Sequence, residues 1–164
     1  MWSREIFRNG AYGVAGMAIH GKPPEKSDKP LILVSTLGTT ENASRSVREA
    51  LEADGCEVMV FHTTGNGGRT LEALAAERDV AAIVDMSLVE INDFLHNGMC
   101  AVGPERSTTG MKRGIPTIFA PGNVDFFIMP SELATGDAPF EGRRYHVHNI
   151  ALTAVRWPTS ASAI

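Results

Sequence analysis

The sequence predicts an α/β domain: a doubly wound, mostly parallel sheet with helices on both faces, a Rossmann- or flavodoxin-like three-layer arrangement. Three observations predict it. Short apolar, β-branched runs such as Leu31–Thr36 (LILVST) and Val80–Asp85 (VAAIVD) lack the polar alternation of a strand with one wet face, so both faces are covered. Segments of about ten residues with helical apolar spacing separate these runs, as crossover connections between parallel strands require. Polar, small or glycine-rich loops follow the strands, at the sheet edge where such folds bind ligands.

In chain order, residues 1–30 form an N-terminal arm and linker. Residues 1–20 read as a short helix or arm in which Gly10, Gly13 and Gly16 recur, and residues 21–30 (GKPPEKSDKP) have linker composition. The α/β domain covers 31–164. Its first strand, Leu31–Thr36, leads to a helix over Glu41–Ala53, where Ala43, Val47, Ala50 and Leu51 share a face and Gly55 ends the last turn. Glu57–His62 is the second strand and Gly68–Arg78 the second helix. Val80–Asp85 is the third strand, followed by a helix over Leu88–His96 closed by Asn97-Gly98. A helix over Arg106–Arg113 stops at Gly114, Ile115–Ala120 is the fourth strand, and Arg144–His148 is a candidate fifth. Ile150–Val155 begins a further element before Trp157-Pro158 and a small-residue tail, so the domain reads as truncated at its C-terminus.

Composition excludes several functions. The 164 residues are 43% hydrophobic and 21% charged, ordinary for a globular domain. A net charge of −4 argues against wrapping nucleic acid or lying on an anionic membrane. No apolar run reaches the ~18 residues of a membrane span. Cys56 and Cys100 stand without CxxC partners, which points to a reducing cytoplasm.

The loops carry the candidate chemistry. After strand one, Gly38, Thr39 and Thr40 precede a helix that Thr40 or Asn42 would cap, leaving first-turn N–H groups for an anion. After strand two, His62, Thr63, Thr64, Gly65, Asn66, Gly67, Gly68 and Arg69 form the strongest signal: three glycines that let the backbone fold inward as an anion nest, with hydroxyl and guanidinium donors beside them. The run lacks the Lys-Ser/Thr pair of a Walker A loop. After strand three, Asp85 and Glu90 are candidates for acid/base work with His62, or for capping alone. Pro121–Asp125 turns Asp125 toward the same edge, and Arg106 is expected as a solvated surface side chain. His146 and His148 share a strand face, but no third ligand lies at metal spacing, so no metal site is expected. Cys56 and Cys100, without a local base, are expected as buried apolar groups rather than nucleophiles.

The run GTTENASRSVREALEADGCEVMVFHTTGNGGRTLEAL, with IVDMSLVEINDFLHNG, GIPTIFAPGNVDFF and FEGRRYHVHN, resembles the ATP-binding family that includes the inhibitory region of the tomato mosaic virus resistance protein and many uncharacterised microbial members. The likeness runs from about Ile6 to Val155. It implies two similar α/β domains joined by a glycine-rich helix, with this chain matching the second and Asn9–Met17 resembling the connector. ATP is the cofactor it implies.

The function expected first is therefore binding of a nucleotide, ATP-related, or another phosphoanion, with Gly38, Thr39, Thr40, Thr63, Thr64, Gly65, Gly67, Gly68 and Arg69 forming the site. The alternatives are an enzyme, a hydrolase or transferase on an acidic metabolite using Asp85, Glu90 or His62, and a protein-interaction module. The apolar residues of the arm predict a homo-oligomer, most simply a dimer.

Overall fold

The structure, a computed structural model, describes residues 2–22, 27–134 and 142–156. The expected stop at Trp157-Pro158 and part of the Pro- and Lys-rich linker lie outside the described residues. After a long N-terminal helix α1 (Trp2–His20) come β1 (Leu31–Thr36), α2 (Glu41–Ala53), β2 (Glu57–His62), α3 (Asn66–Glu77), β3 (Ala82–Asp85) and α4 (Val89–His96). A short α5 (Thr109–Lys112), β4 (Thr117–Phe119), β5 (Phe126–Pro130), β6 (Tyr145–Val147) and β7 (Leu152–Arg156) complete it.

Four strands form a wholly parallel sheet in the order β2-β1-β3-β4. The apolar runs need cover on both faces, and the packing shows which helix supplies each. Leu33 and Ile83 point to one side, where Leu71 and Ala75 of α3 close a buried cluster. Ile32 and Val34 point to the other, packing with Val47 and Leu51 of α2. This is the three-layer α/β arrangement that the sequence predicts. Because α2 carries the chain outward to β2 and α3 returns it across β1 to β3, strand order reverses between β1 and β3.

The last strands correct the expected fold. Tyr145–Val147 does not extend the parallel sheet as a fifth strand. It joins Leu152–Arg156 and a strand not foreseen, Phe126–Pro130, in a separate antiparallel sheet ordered β5-β7-β6. One face of this small sheet buries Phe127, Met129 and Val155. The helix expected over Arg106–Arg113 is only Thr109–Lys112, because residues 104–108 form a turn with Ser107 in the left-handed region.

Candidate functional site

Each loop behind the parallel strands has a defined role. Leu37 turns the chain out of β1, and Gly38–Thr40 form one turn of 3-10 helix before α2. Thr40 does not cap α2 as expected; its hydroxyl accepts the Leu37 N–H at 2.9 Å and so closes that tight turn. Thr63 is fully buried, donating to the Thr36 carbonyl at 3.0 Å and meeting the Ser87 hydroxyl at 2.7 Å. Asn123 donates to that Ser87 hydroxyl at 2.9 Å and accepts from the Thr39 hydroxyl. Asn123 and Ser87 thus fill the switch point between β1 and β3 with the protein's own polar groups.

The glycine loop is held from beneath. Glu90, wholly buried, accepts the N–H of Gly65 at 2.7 Å and of Gly68 at 3.0 Å on a single carboxylate oxygen. Gly65 sits at φ 92°, and a Cβ at Gly68 would collide with the Glu90 carboxylate, so the two glycines admit this internal anion. The inward-turned N–H groups expected for a ligand are, at these two positions, occupied by Glu90. Gly67 lies in the first turn of α3 above the His62 carbonyl, and Arg69 reaches the Ala101 carbonyl at 3.4 Å.

Glu90 is fixed in turn by Arg106. The expected solvated arginine is instead 3% exposed. Its Nε donates to Glu90 at 2.6 Å, while its two terminal nitrogens form a fork on Asp85 at 2.6 and 2.9 Å. Glu72 approaches the same guanidinium at 3.6 Å and accepts the backbone N–H of Ser107 and Thr109. Burial works against the charge on Arg106, but hydrogen bonds and charge from Asp85 and Glu90 outweigh it and raise its pKa above the ordinary arginine value. Three carboxylates face one guanidinium, and backbone donors together with the Ser35 hydroxyl, at 2.6 Å from Asp85, satisfy the remaining oxygens. The cluster knots the loops behind β2 and β3 together.

What stays open is a cleft of about 810 Å³ between this edge and the antiparallel sheet. Leu37, Gly38, Thr39, His62 and Thr64 form one wall, and Phe126, Ile128, Leu152 and Ala154 form an apolar floor. Arg144, His146, His148 and Arg156 face it from β6, β7 and their flanks, with Asp125 at 3.5 Å from Arg156. Of the expected binding residues, Gly38, Thr39 and Thr64 come together here; of the expected catalytic candidates, only His62 does. Asp85 and Glu90 lie inside the arginine knot and not on the cleft. Cys100 also borders the cleft, but burial, then the Asp93 charge, push its thiol up to about 12, so it is no nucleophile near neutral pH.

Sequence reasoning missed Arg144 and Arg156 and set aside His146 and His148. The signal available was the alternation in RRYHVH and LTAVR, which places these side chains on the face opposite Tyr145, Thr153 and Val155.

A doubly wound sheet with an open cleft at its carboxyl edge, walled by a small antiparallel sheet, defines an α/β domain of the doubly wound class. Residues 29–162 match the C-terminal domain of the uncharacterised protein family UPF0261, and the chain belongs to that family. It is 36% identical to a UPF0261 protein of Clostridium tetani over 94% of the chain and 38% of the relative, and 33% identical to one of Brucella suis over 93% and 36%. It is 27% identical to the ToMV resistance protein Tm-1(GCR237) of Solanum lycopersicum, over 94% of the chain and 21% of that protein. The chain thus spans little more than a third of the bacterial relatives' length, and they carry further sequence beyond this domain. Among the described residues no helix is long and apolar enough to cross a membrane.

Proposed function

We propose that this domain binds a nucleotide, ATP-related, or another phosphoanion in the cleft, in a cytoplasmic protein that assembles with itself. One observation carries the proposal: four basic or imidazole side chains, Arg144, His146, His148 and Arg156, face the Gly38–Thr39 turn across an apolar floor, with Asp125 as the acid among the lining residues. Such a cleft suits an anion carried on an apolar or aromatic body, with cations for the charge and Phe126 and Ile128 for the body. The resemblance noted above favours a purine nucleotide among such ligands. The enzyme alternative retains His62 alone at the cleft and has less to support it.

Isothermal titration of the whole chain with ATP, ADP and inorganic phosphate tests this. The expected result is binding of ATP that weakens about tenfold or more in Arg144→Ala and in Arg156→Ala, since a hydrogen bond to a charged group contributes about 1.5–3 kcal/mol. Absence of heat with all three ligands at millimolar concentration overturns the proposal.

A further inference from the structure

The hydroxyls at the switch point form a chain that ends in the cleft, and proton counting fixes its direction. It starts at the Thr36 carbonyl, an acceptor with no proton to give. The Thr63 hydroxyl lies 3.0 Å from that oxygen and donates its one proton there. Thr63 therefore accepts in its 2.7 Å contact with Ser87, and Ser87 commits its own proton to Thr63. Ser87 then has only lone pairs for Asn123 at 2.9 Å, which sets the amide with Nδ2 toward Ser87 and Oδ1 toward Thr39. Oδ1 accepts, so Thr39 donates. The opposite direction would leave the Thr63 and Thr36 oxygens facing each other at 3.0 Å without a proton between them, in a place where both residues are buried.

The amide is held in that orientation. Asn123 is buried at φ 60°, in the left-handed region that asparagine tolerates. Gly122 before it packs so closely that a Cβ would strike the Met86 carbonyl and the Thr40 methyl, and its own carbonyl accepts the Leu88 N–H at 3.0 Å. Thr39 itself is exposed, on the cleft wall. Its single proton points inward to Asn123, so the hydroxyl offers the cleft lone pairs only. Strand register sorts the groups across from it. Arg156 stands opposite Phe126 and bonds the Arg144 carbonyl through its N–H, while Ala154 lies between Ile128 and His146. The guanidinium groups thus share one end of this sheet face, and an anion belongs with them. An anionic oxygen at Thr39 would meet lone pairs and be repelled.

We propose that Thr39 is a specificity-determining residue of the cleft, an acceptor that selects, among anionic ligands, those that also carry an uncharged hydrogen-bond donor, a hydroxyl or an amino group. This rests on the reading of the cleft as an anion site and assigns the ligand's two parts to opposite walls. The arginines take the charge, and Thr39 takes the donor on the uncharged body. A bare phosphate or a simple alkyl phosphate meets the first requirement alone; a nucleotide or a phosphorylated sugar meets both. Because Thr39 is open to water, a ligand without the donor leaves it hydrated rather than orphaned, so the selection is by a modest factor.

Calorimetric titration of the whole chain with three probes tests it: ATP, its dideoxyribose analogue, which lacks both ribose hydroxyls, and the purine analogue that lacks the exocyclic amino group. The parent should bind at least one analogue about three- to tenfold more weakly than ATP, the loss of one neutral hydrogen bond, and the analogue that suffers identifies the donor. Thr39→Val keeps the shape without the oxygen. It should bind ATP as weakly as the parent binds that analogue and no longer distinguish the two. Thr39→Ser keeps the hydroxyl and should restore the difference. A parent that binds all three probes alike overturns the proposal and leaves the anion reading standing. So does a Thr39→Val chain in which all three weaken by the same factor, the behaviour of a donor to phosphate or of a merely structural residue. A parent that binds none of the three overturns the anion reading and this proposal with it.

Discussion

Arg106 joins three carboxylates that are remote in sequence: Glu72 on α3, Asp85 at the end of β3 and Glu90 on α4. Nothing local in GPERST signals this burial, since the counter-charges arrive only with the tertiary fold. Asp85 and Glu90 were each visible as acids at the sheet edge, but their purpose lies in the pairing with Arg106. Replacing a buried partner leaves its counter-ions charged and unsatisfied, which costs about 3–5 kcal/mol. Arg106→Met should therefore lower the stability from urea unfolding by about that amount. Arg106→Lys should lose part of it, because an ammonium cannot form the fork on Asp85 while also reaching Glu90. A loss below about 1 kcal/mol for Arg106→Met would show that the cluster does not hold these loops. A different signal was legible residue by residue: Gly65 and Gly68 mark a backbone folded around an anion. The sequence left the anion's identity open, and it is the protein's own Glu90.

Among elements, β1 and β2 were legible to the residue because apolar, β-branched runs bounded by Pro30 and Gly55 fit little else. β5 was not, because Phe126–Pro130 follows a Pro-Gly turn and ends in a proline, which reads as loop until β7 pairs with it. The element that ties this sheet to the rest is α4, through Asp93. Its carboxylate accepts the N–H of Cys100 at 2.7 Å and of Ile128 at 2.9 Å. Burial raises the Asp93 pKa above the ordinary aspartate value, and the Glu90 charge adds to the rise, against the pull of those two N–H groups. The sign follows from linkage: a folded-state pKa raised above the unfolded one contributes stability that is complete below about pH 3.9 and is lost as pH rises through the raised value. Asp93→Asn lacks that titration and puts an amide NH₂ where one backbone N–H needs an acceptor. Its cost in urea unfolding should therefore be larger at pH 4 than at pH 7. A cost that grows toward pH 7 would mean that Asp93 titrates in the opposite sense.

At the scale of the whole molecule, the two sheets differ in what holds them. The parallel sheet has buried clusters on both faces, with Leu33 and Val34 fully enclosed on opposite sides of β1. Among the described residues, the antiparallel sheet buries Phe127, Met129 and Val155, with Thr153, on one face, while its other face borders the cleft. It is joined to α4 and the segment after it by the Asp93 bonds, the Met99 N–H to Ile128 carbonyl bond at 2.7 Å, the Asn92 side chain on the Phe126 carbonyl and the His96–Phe127 ring contact. Local opening follows the buried apolar contacts that each unit would lose, so the smaller sheet should open at lower free energy than the molecule unfolds. Native-state hydrogen exchange in sub-denaturing urea measures this directly. The ladder amides of β5 and β7 should exchange through an opening of smaller free energy and smaller urea dependence than those of β1 and β3. A nucleotide bound in the cleft would touch both sheets and stabilise the closed state by mass action, so saturating ATP should narrow the gap between the two sets. Identical exchange free energies for both sheets without ligand would show a single cooperative unit, and a gap unchanged by ATP that does bind would place its site elsewhere.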